Sequence, residues 1–98
     1  MLSIYPAYFY EEEEGGYSVI FPDLNHLATQ GDTLNEAREM AIDCLAGYLH
    51  SAKTEGKALP NPSDIRTLNA DNEHTEYKNA FVNMVAVDVE EYAKLYFK

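Results

Sequence analysis

The sequence contains few basic residues, one cysteine and no tryptophan. Its 98 residues include 7 lysines and arginines against 17 aspartates and glutamates, so the formal net charge is −10. Affinity for DNA or RNA comes largely from basic side chains that neutralise phosphates, and a chain of this charge repels the phosphate backbone. The composition therefore argues against nucleic-acid binding by this chain alone and favours a basic partner.

Long apolar runs and targeting signals are also missing. No stretch approaches the roughly 20 apolar residues of a transmembrane helix. Residues 1–9 have neither the basic start nor the small-residue cleavage site of a signal peptide. Cys44 has no second cysteine with which to form an internal disulfide, which agrees with a reducing compartment. The sequence predicts a cytoplasmic protein with no membrane partner.

The composition that remains is typical of one folded domain. Hydrophobic residues make up 46% of the chain and aromatic residues 12%, far from the low hydrophobicity of disordered segments. A chain of this length has room for a single core. We therefore expect residues 1–98 to form one domain.

Alternating side chains predict a three-stranded meander at the start of the chain. Residues 3–10 (SIYPAYFY) are aromatic and extended, residues 17–21 (YSVIF) follow after a turn with two glycines, and residues 26–30 are long enough for a third strand. Pro6 cannot donate to a ladder. It must therefore lie at an edge, at a bulge, or with its missing donor directed outward.

A helix is predicted after Thr33. Thr33 and Glu36 have the capping-box spacing, in which a hydroxyl and a carboxylate each accept a backbone N–H of the other residue. Gly56 is in position to cap the C-terminus. The apolar stripe that we expect to pack on the sheet consists of Ala37, Met40, Ala41, Cys44, Leu45, Tyr48 and Ala52.

The second half of the chain is less regular. Residues 64–78 form a polar connection in which part could be a short helix, be disordered, or take part in binding. Residues 80–87 (AFVNMVAV) are apolar and partly β-branched, as expected of a central strand that is buried on both faces and pairs with the hairpin. Asp88 and Glu91 repeat the cap spacing before a short closing helix. The predicted fold class is α+β, in the order β-β-β-α-β-α, with one long helix packed on the sheet.

Motifs for catalysis, metal binding or cofactor binding are not found. Ser18, Asp23 and His26 lie on a strand and the following turn without a nucleophile elbow. The histidines are too far apart in sequence, and lack neighbouring ligands, for a zinc motif. We therefore expect no catalytic residue, no metal site and no cofactor.

Two other functions remain open on the residues alone. Three strands, a helix and a further strand also begin a ribonuclease-H-like fold, so a metal-dependent nuclease using Asp23 or Asp43 is one alternative, although residues 3–10 contain no acid to serve as its first ligand. A structural module that multimerises through exposed strand edges is the other. We expect this chain to form a homo-oligomer, because self-association can also accompany the binding of another partner.

Carboxylates crowd the turn after the first strand. This turn is either a solvated reversal or an acidic contact for a basic protein, and the net charge favours the second. The turn after the second strand adds two polar residues to the same expected contact edge. The candidate partner-binding residues are Glu11, Glu12, Glu13, Glu14, Asp23 and Asn25.

Three segments, in this order and spacing, resemble the HicB family of antitoxins. They are YSVIFPDL at residues 17–24, ATQGDTLNEA at 28–37 and LPNPS at 59–63. The motif positions also have structural reasons, since Pro22 turns the chain out of a strand, Gly31 permits a tight approach and Thr33 caps a helix. The residues that carry the resemblance are Phe21, Pro22, Leu24, Gly31, Thr33, Glu36, Ala37, Pro60 and Pro62.

The resemblance implies a partial ribonuclease-H-like domain without nuclease activity. It also implies that the domain binds and neutralises HicA, a small basic toxin that cleaves RNA, which agrees with the acidic charge. Family members often carry a further C-terminal segment that binds operator DNA, and no such segment is present up to Lys98. The resemblance therefore implies operator binding only through a segment missing from this chain.

Overall fold

The computed structural model describes residues 1–70, 77 and 79–97. Apart from one 3₁₀ turn, its elements follow the predicted order β-β-β-α-β-α, and the α+β class is confirmed. None of the described helices is long and apolar enough to cross a membrane. The elements are β1 (Ser3–Glu11), β2 (Tyr17–Phe21), β3 (Leu27–Gly31), helix α1 (Leu34–Thr54), the 3₁₀ turn (Ile65–Thr67), β4 (Asn79–Val87) and helix α2 (Val89–Tyr96).

The four strands form one antiparallel sheet in the order β3-β2-β1-β4. β1 lies inside the sheet, and six consecutive residues, 5–10, are buried. β4 pairs with β1 along its whole length, as predicted, but within the described residues no strand lies on its other side. The prediction that residues 80–87 are a central strand buried on both faces is therefore wrong. Among the described strands, β4 lies at the edge of the sheet, and only Val85 and Val87 of its residues are buried.

Pro6 is tolerated inside the sheet because β2 is short. β2 pairs with β1 only from Tyr8 to Glu11. At Pro6, the described strands leave β1 with β4 alone as its neighbour, and Met84 lies opposite. The nitrogen of Pro6 can face the unpaired side, so the ladder loses no hydrogen bond. This agrees with the outward-directed donor position that the sequence allowed.

Helix α1 begins where the sequence predicts. Thr33 Oγ1 accepts the N–H of Glu36 at 3.1 Å. Glu36 Oε1 in turn accepts the N–H of Asp32 at 3.1 Å, one residue earlier than in the predicted reciprocal box. The first bond satisfies a backbone donor that a helix N-terminus leaves without a partner, and the second fastens the residue before the cap. The two side chains together fix the first turn.

Helix α1 ends on the predicted glycine. Gly56 has φ +70°, a left-handed conformation that costs glycine little. Its N–H donates to the carbonyl of Lys53 at 3.2 Å, and the N–H of Lys57 donates to that of Ala52 at 2.8 Å. These two bonds form a Schellman motif, which stops the helix and turns the chain away.

The face of α1 that packs on the sheet differs in part from the predicted stripe. Met40, which belongs to the predicted stripe, is 40% exposed, and Cys44 and Tyr48 are half-buried. Because apolar residues such as Leu49 and Ala46 continue the stripe on one side, the pattern could not fix the rotation of the helix. The buried residues are Ala37, Ala41, Leu45, Ala46, Leu49 and Ala52.

The connection after α1 covers part of the second face of the sheet. Tyr8 and Tyr10 of β1 form a small core there with Ala70, and Leu68 and Tyr77 pack against it. The hydroxyl of Tyr10 donates to the carbonyl of Ala70 at 3.4 Å. The sequence left this connection open between a short helix, disorder and a binding role. Its start contains the 3₁₀ turn, and residues 71–76 and 78 lie outside the described residues.

Helix α2 starts at the predicted cap and is tied to α1 by a tyrosine. Asp88 Oδ1 accepts the N–H of Glu91 at 3.1 Å. The hydroxyl of Tyr92 donates to Asp43 Oδ1 at 2.9 Å. Burial, and then the hydrogen bond to this carboxylate, raise the pKa of Tyr92 to about 12. The neutral phenol is therefore the form that holds the two helices together.

Alkaline pH is expected to weaken this contact. The pKa of Tyr92 is higher in the folded chain than in the unfolded chain, where it is about 10, so its stabilising effect is complete below pH 10 and is lost as the pH rises towards 12. Urea unfolding between pH 9 and 12 should show a steeper loss of stability in the natural chain than in Tyr92→Phe. Equal pH dependence in the two proteins would contradict this role for Tyr92.

Candidate functional site

The predicted acidic residues form the reversal between β1 and β2. Glu11 is the last residue of β1, and Gly15 and Gly16 close the turn with φ of +95° and +86°. The N–H of Glu12 donates to the carbonyl of Gly16 and the N–H of Gly15 donates to that of Glu12, both at 3.0 Å. The two glycines thus hold four successive carboxylates at one end of the sheet. We call residues 11–14 the acidic turn.

The acidic turn presents its charge to solvent. Glu13 and Glu14 are exposed at the tip, whereas Glu11 and Glu12 are half-buried. Tyr77 lines the same open depression of about 280 Å³ beside the turn. Like charges on neighbouring residues repel one another, and an approaching cation relieves that repulsion. The arrangement is therefore suited to a lysine- or arginine-rich surface with an aromatic contact at its side.

Asp23 is used inside the domain. Its Oδ2 accepts the backbone N–H of Ser63 at 2.7 Å, and its Oδ1 accepts the hydroxyl of Ser63 at 2.5 Å. Both bonds are partly buried and join the turn after β2 to the segment after α1. A carboxylate that accepts two such bonds binds firmly, because bonds to a charged acceptor are stronger than neutral ones. Asp23 therefore holds two of the motif segments together.

A second hydrogen bond fastens the same segment to the sheet. The hydroxyl of Tyr5 donates to the carbonyl of Pro60 at 2.7 Å. Burial raises the pKa of Tyr5, and the nearby charge of Asp23 adds to the rise. Pro60 and Pro62 themselves are exposed. The prolines keep this segment out of a helix, so its backbone groups remain available to β1 and to the β2–β3 turn.

Asn25 lies at the tip of the β2–β3 turn. Asn25 and His26 both have φ of +57°, and asparagine tolerates this left-handed conformation better than most residues. The Nδ2 of Asn25 donates to the hydroxyl of Tyr48 on α1 at 3.1 Å. Leu24, next to it, is buried in the main core. The turn is thus anchored on both sides, and the side chain of Asn25 stays exposed.

The structure separates the predicted contact residues into two groups. The acidic turn precedes β2, and the turn with Asp23 and Asn25 follows it. Five residues of strand span roughly 17 Å, so the two turns lie at opposite ends of the sheet. They do not form one edge. A role in partner binding stays a prediction for both groups, and Asp23 and Asn25 already have partners within the domain.

The side chains that were considered for chemistry are dispersed. Both oxygens of Asp23 accept bonds from Ser63, and Asp43 accepts the bond from Tyr92. Burial, with a smaller effect of Asp43, raises the pKa of the Cys44 thiol, which disfavours the reactive thiolate. Among residues 1–70, 77 and 79–97, no group of three or more His, Cys, Asp and Glu side chains is placed to hold a metal ion.

Sequence reasoning missed the contacts of the segment at residues 59–63. The bond between Asp23 and Ser63 joins positions 40 residues apart, and no local periodicity reports such a pair. The available signal was compositional. Ser63 follows Pro60 and Pro62, so its hydroxyl and N–H lie in a segment that cannot be helical and need other hydrogen-bond partners. That signal indicates a fastened loop but does not identify its partner.

Comparison with known proteins gives a match along nearly the whole chain. Residues 5–97 match the family described as "HicB_like antitoxin of bacterial toxin-antitoxin system". Among curated proteins, Antitoxin HicB 1 of Photorhabdus laumondii is 41% identical over 61 residues, which are 62% of this chain and 39% of that protein. Antitoxin HicB of Escherichia coli K12 is 35% identical over 63 residues, which are 64% of this chain and 46% of that protein. The alignments thus span less than half of these relatives.

Two solved structures share the fold. A chain of the "Toxin-Antitoxin complex from Streptococcus pneumoniae" is 36% identical with a TM-score of 0.84, and the match covers 94% of this chain and 73% of that one. A chain of the "HicA3 and HicB3 toxin-antitoxin complex" is 25% identical with a TM-score of 0.69, covering 88% and 99%. The sheet, the long helix and the motif segments are therefore those of a known type of domain, and this chain belongs to the HicB-like antitoxin family of bacterial toxin–antitoxin systems.

Proposed function

We propose that this domain binds and neutralises a small, basic, RNA-cleaving toxin of the HicA type, and that it has no catalytic activity of its own. The observation that carries the proposal is the acidic turn, where four carboxylates stand at one end of the sheet in a chain of net charge −10. A basic protein that binds RNA carries the complementary charge. Family membership supplies the class of partner.

Binding through the acidic turn would act by competition with RNA. A toxin that cleaves RNA needs its basic surface to hold the phosphates, and carboxylates that occupy this surface exclude them. Such a mechanism requires neither a metal nor a nucleophile in the antitoxin. The proposal places the protein in the cytoplasm, where its partner meets RNA.

The function is tested by titration of the purified chain into the small basic protein encoded beside it. Calorimetry follows binding, and cleavage of a labelled RNA follows toxin activity in the same mixtures. We expect loss of cleavage at the stoichiometry of binding. Binding without loss of cleavage would refute neutralisation, and Mg²⁺-dependent cleavage by this chain alone, abolished in Asp43→Asn, would refute the absence of catalysis.

Charge reversal at the tip of the acidic turn is expected to slow association. The double variant Glu13→Lys/Glu14→Lys should lower the association rate roughly tenfold at low salt and weaken its dependence on salt, because attraction between opposite charges steers the encounter. Stopped-flow fluorescence at several salt concentrations measures both effects.

A matched control separates the turn from net charge. Glu39→Lys/Glu55→Lys changes two exposed glutamates at α1 and brings the net charge from −10 to −6, as the turn variant does. We expect the control to retain most of the association rate. If both variants slow association equally, only the overall charge matters and the acidic turn is not part of the interface.

A further inference from the structure

An apolar pocket lies at the end of the domain where β1 begins. Its volume is about 370 Å³, within the range of small-molecule sites. Residues 1–3, the end of α1 with the residues that follow it, and the start of α2 together line it. The acidic turn lies at the other end of β1, whose nine residues span roughly 30 Å. The pocket and the acidic turn are therefore separate surfaces.

The lining of this pocket includes apolar side chains that solvent reaches. Leu49 of α1 is 2% exposed and forms the inner wall, and Val89 of α2, which also lines the pocket, is half-buried. Leu2 and Leu59 line the same pocket and are 61% and 41% exposed. Single exposed apolar side chains are common on protein surfaces, but several around one concave site indicate a binding surface. The pocket thus offers contacts to an apolar group.

The charged side chains that line the pocket are mainly basic, although the chain has a net charge of −10. They are Lys53 and Lys57, with Glu90 as the one acid among the described lining residues. The two lysine side chains are 68% and 70% exposed, so their ammonium groups lie at the mouth while their stems cover apolar surface. The mouth of the pocket is therefore suited to an anion.

The present partners of the two lysines are weak competitors for such an anion. Lys53 Nζ is 3.5 Å from Glu90 Oε1, and Lys57 Nζ is 3.3 Å from Glu55 Oε1. Both glutamates are exposed, and ion pairs of this kind contribute little because water screens them. The carbonyls of residues 51–53 accept the N–H groups of residues 55–57, so the last turn of α1 has its hydrogen bonds satisfied. A carboxylate can therefore approach both lysines.

We propose that this pocket binds a carboxylate that carries an unbranched alkyl chain of medium length. The alkyl chain packs against Leu49, Leu59 and Val89, and the carboxylate lies at the mouth beside Lys53 and Lys57. An inorganic anion would leave the apolar wall in water, and a neutral hydrocarbon would leave both lysines without an anion. A basic protein surface is repelled by the lysines and drawn to the acidic turn instead. The proposal does not rest on the antitoxin function.

Binding at this pocket is expected to raise the Tm. Leu59 belongs to the segment that is fastened to the domain by the bonds of Pro60 to Tyr5 and of Ser63 to Asp23. A ligand that contacts Leu59 and both helices adds a link between this segment and the helices. Because the unfolded chain has no such pocket, the Tm should increase with the concentration of octanoate.

The proposal is tested by calorimetric titration of the chain alone with hexanoate, octanoate and decanoate, each below the concentration at which it forms micelles. We expect each added CH₂ group to tighten binding about two- to fourfold until the pocket is full. The neutral 1-octanol should bind about threefold more weakly than octanoate, because it forms no ion pair with the lysines. Equal affinity for the three carboxylates, or binding of 1-octanol as tight as that of octanoate, would overturn the proposal.

Removal of the two lysine charges tests the mouth of the pocket. Lys53→Gln/Lys57→Gln should weaken octanoate binding roughly tenfold, since each exposed ion pair contributes up to about fivefold. The matched control is Arg38→Gln/Lys94→Gln. It also removes two exposed cations and also brings the net charge from −10 to −12, but neither residue lines this pocket. We expect the control to bind octanoate as the natural chain does.

Leu2→Ser tests the apolar wall. Leu2 is exposed at the start of the chain, so its replacement should weaken decanoate binding about threefold or more with little effect on folding. Leu95→Ser is the matched control, because Leu95 is 67% exposed on α2 and does not line the pocket. We expect this control to leave binding unchanged. Far-UV circular dichroism establishes that each variant is folded.

Equal weakening by a variant and its control, in either pair, would overturn the proposal. No binding of decanoate at about 1 mM would do so as well. The titrations contain no toxin, so their failure leaves the proposed antitoxin function untouched. Failure of toxin binding likewise leaves the pocket untouched, and the two proposals are therefore tested independently.

Discussion

Replacing Gly31 with alanine is expected to lower the free energy of unfolding by about 3 kcal/mol or more. A Cβ at this buried position would lie 2.7 Å from Ala37 Cα and 2.8 Å from the carbonyl carbon of Glu36. Both atoms belong to the backbone of the first turn of α1, so relief requires the helix to move away from β3. Thermal unfolding followed by circular dichroism should show a Tm lower by more than about 12 °C for a domain of this size.

Gly47 provides a control with the opposite sign. It lies inside α1, where a Cβ would meet no atom within 4 Å. Alanine is favoured over glycine in a helix interior by about 0.5–1 kcal/mol, so Gly47→Ala should raise the Tm by a few degrees. If Gly31→Ala unfolds at the same temperature as the natural chain, α1 does not approach β3 as closely as described.

Replacing Asp23 with alanine is expected to lower the free energy of unfolding by about 2–3 kcal/mol. The variant loses both bonds to Ser63 and leaves the partly buried N–H of Ser63 without its acceptor. Asp23→Asn retains an acceptor oxygen and should have a smaller effect. Ser63→Ala removes only the hydroxyl bond, so its effect should also be smaller. Urea unfolding of the three variants gives these free energies.

Asp32→Ala is the control for the loss of a carboxylate. Asp32 is exposed between β3 and α1, and its replacement should change stability by no more than about 0.5 kcal/mol. Toxin binding then separates the two roles of Asp23. If Asp23 only fastens the loop, folded Asp23→Ala retains the association rate of the natural chain. A large loss of affinity in the fully folded variant would instead place Asp23 in the interface.

Local signals predicted most of the fold. β2 and the starts of both helices were correct because alternation and cap spacing are properties of a few neighbouring residues. Thr33, Gly56 and Asp88 illustrate this, since each forms bonds within its own turn. The rotation of α1 was less well predicted, because apolar side chains such as Leu49 and Ala46 continue the stripe on one side, and which of them are buried depends on the shape of the sheet.

The position of β4 in the sheet could not be read from its composition. An apolar, partly β-branched run is typical of a strand buried on both sides, but burial depends on which strands lie next to it. The aromatic segment of β1 is the strand that is buried on both faces. Pro6 allowed an edge position, a bulge or a nitrogen directed outward. Pro6 is nevertheless compatible with the inside of the sheet, because β2 pairs with β1 only from Tyr8 to Glu11. The sequence does not indicate where this pairing stops.

The candidate site was predictable in one half only. The acidic turn is a local feature, so the glycines and the run of glutamates sufficed to place it at the end of a hairpin. The turn with Asp23 looked equally polar, but its side chains bind residues that are distant in sequence: Ser63 for Asp23 and Tyr48 for Asn25. Whether a polar side chain serves a partner or its own fold depends on such long-range contacts.

The pairing of β1 with β4 determines the order in which the domain can be completed. β2, β3 and α1 follow β1 closely along the chain, so a growing polypeptide can form them early. One side of β1 nevertheless remains open until Asn79–Val87 have been synthesised, because Ser3 pairs with Val87 and Glu11 with Asn79. Until then the most buried strand of the domain has a free edge. A chain truncated before β4 is therefore expected to aggregate, even though its acidic turn is already in place.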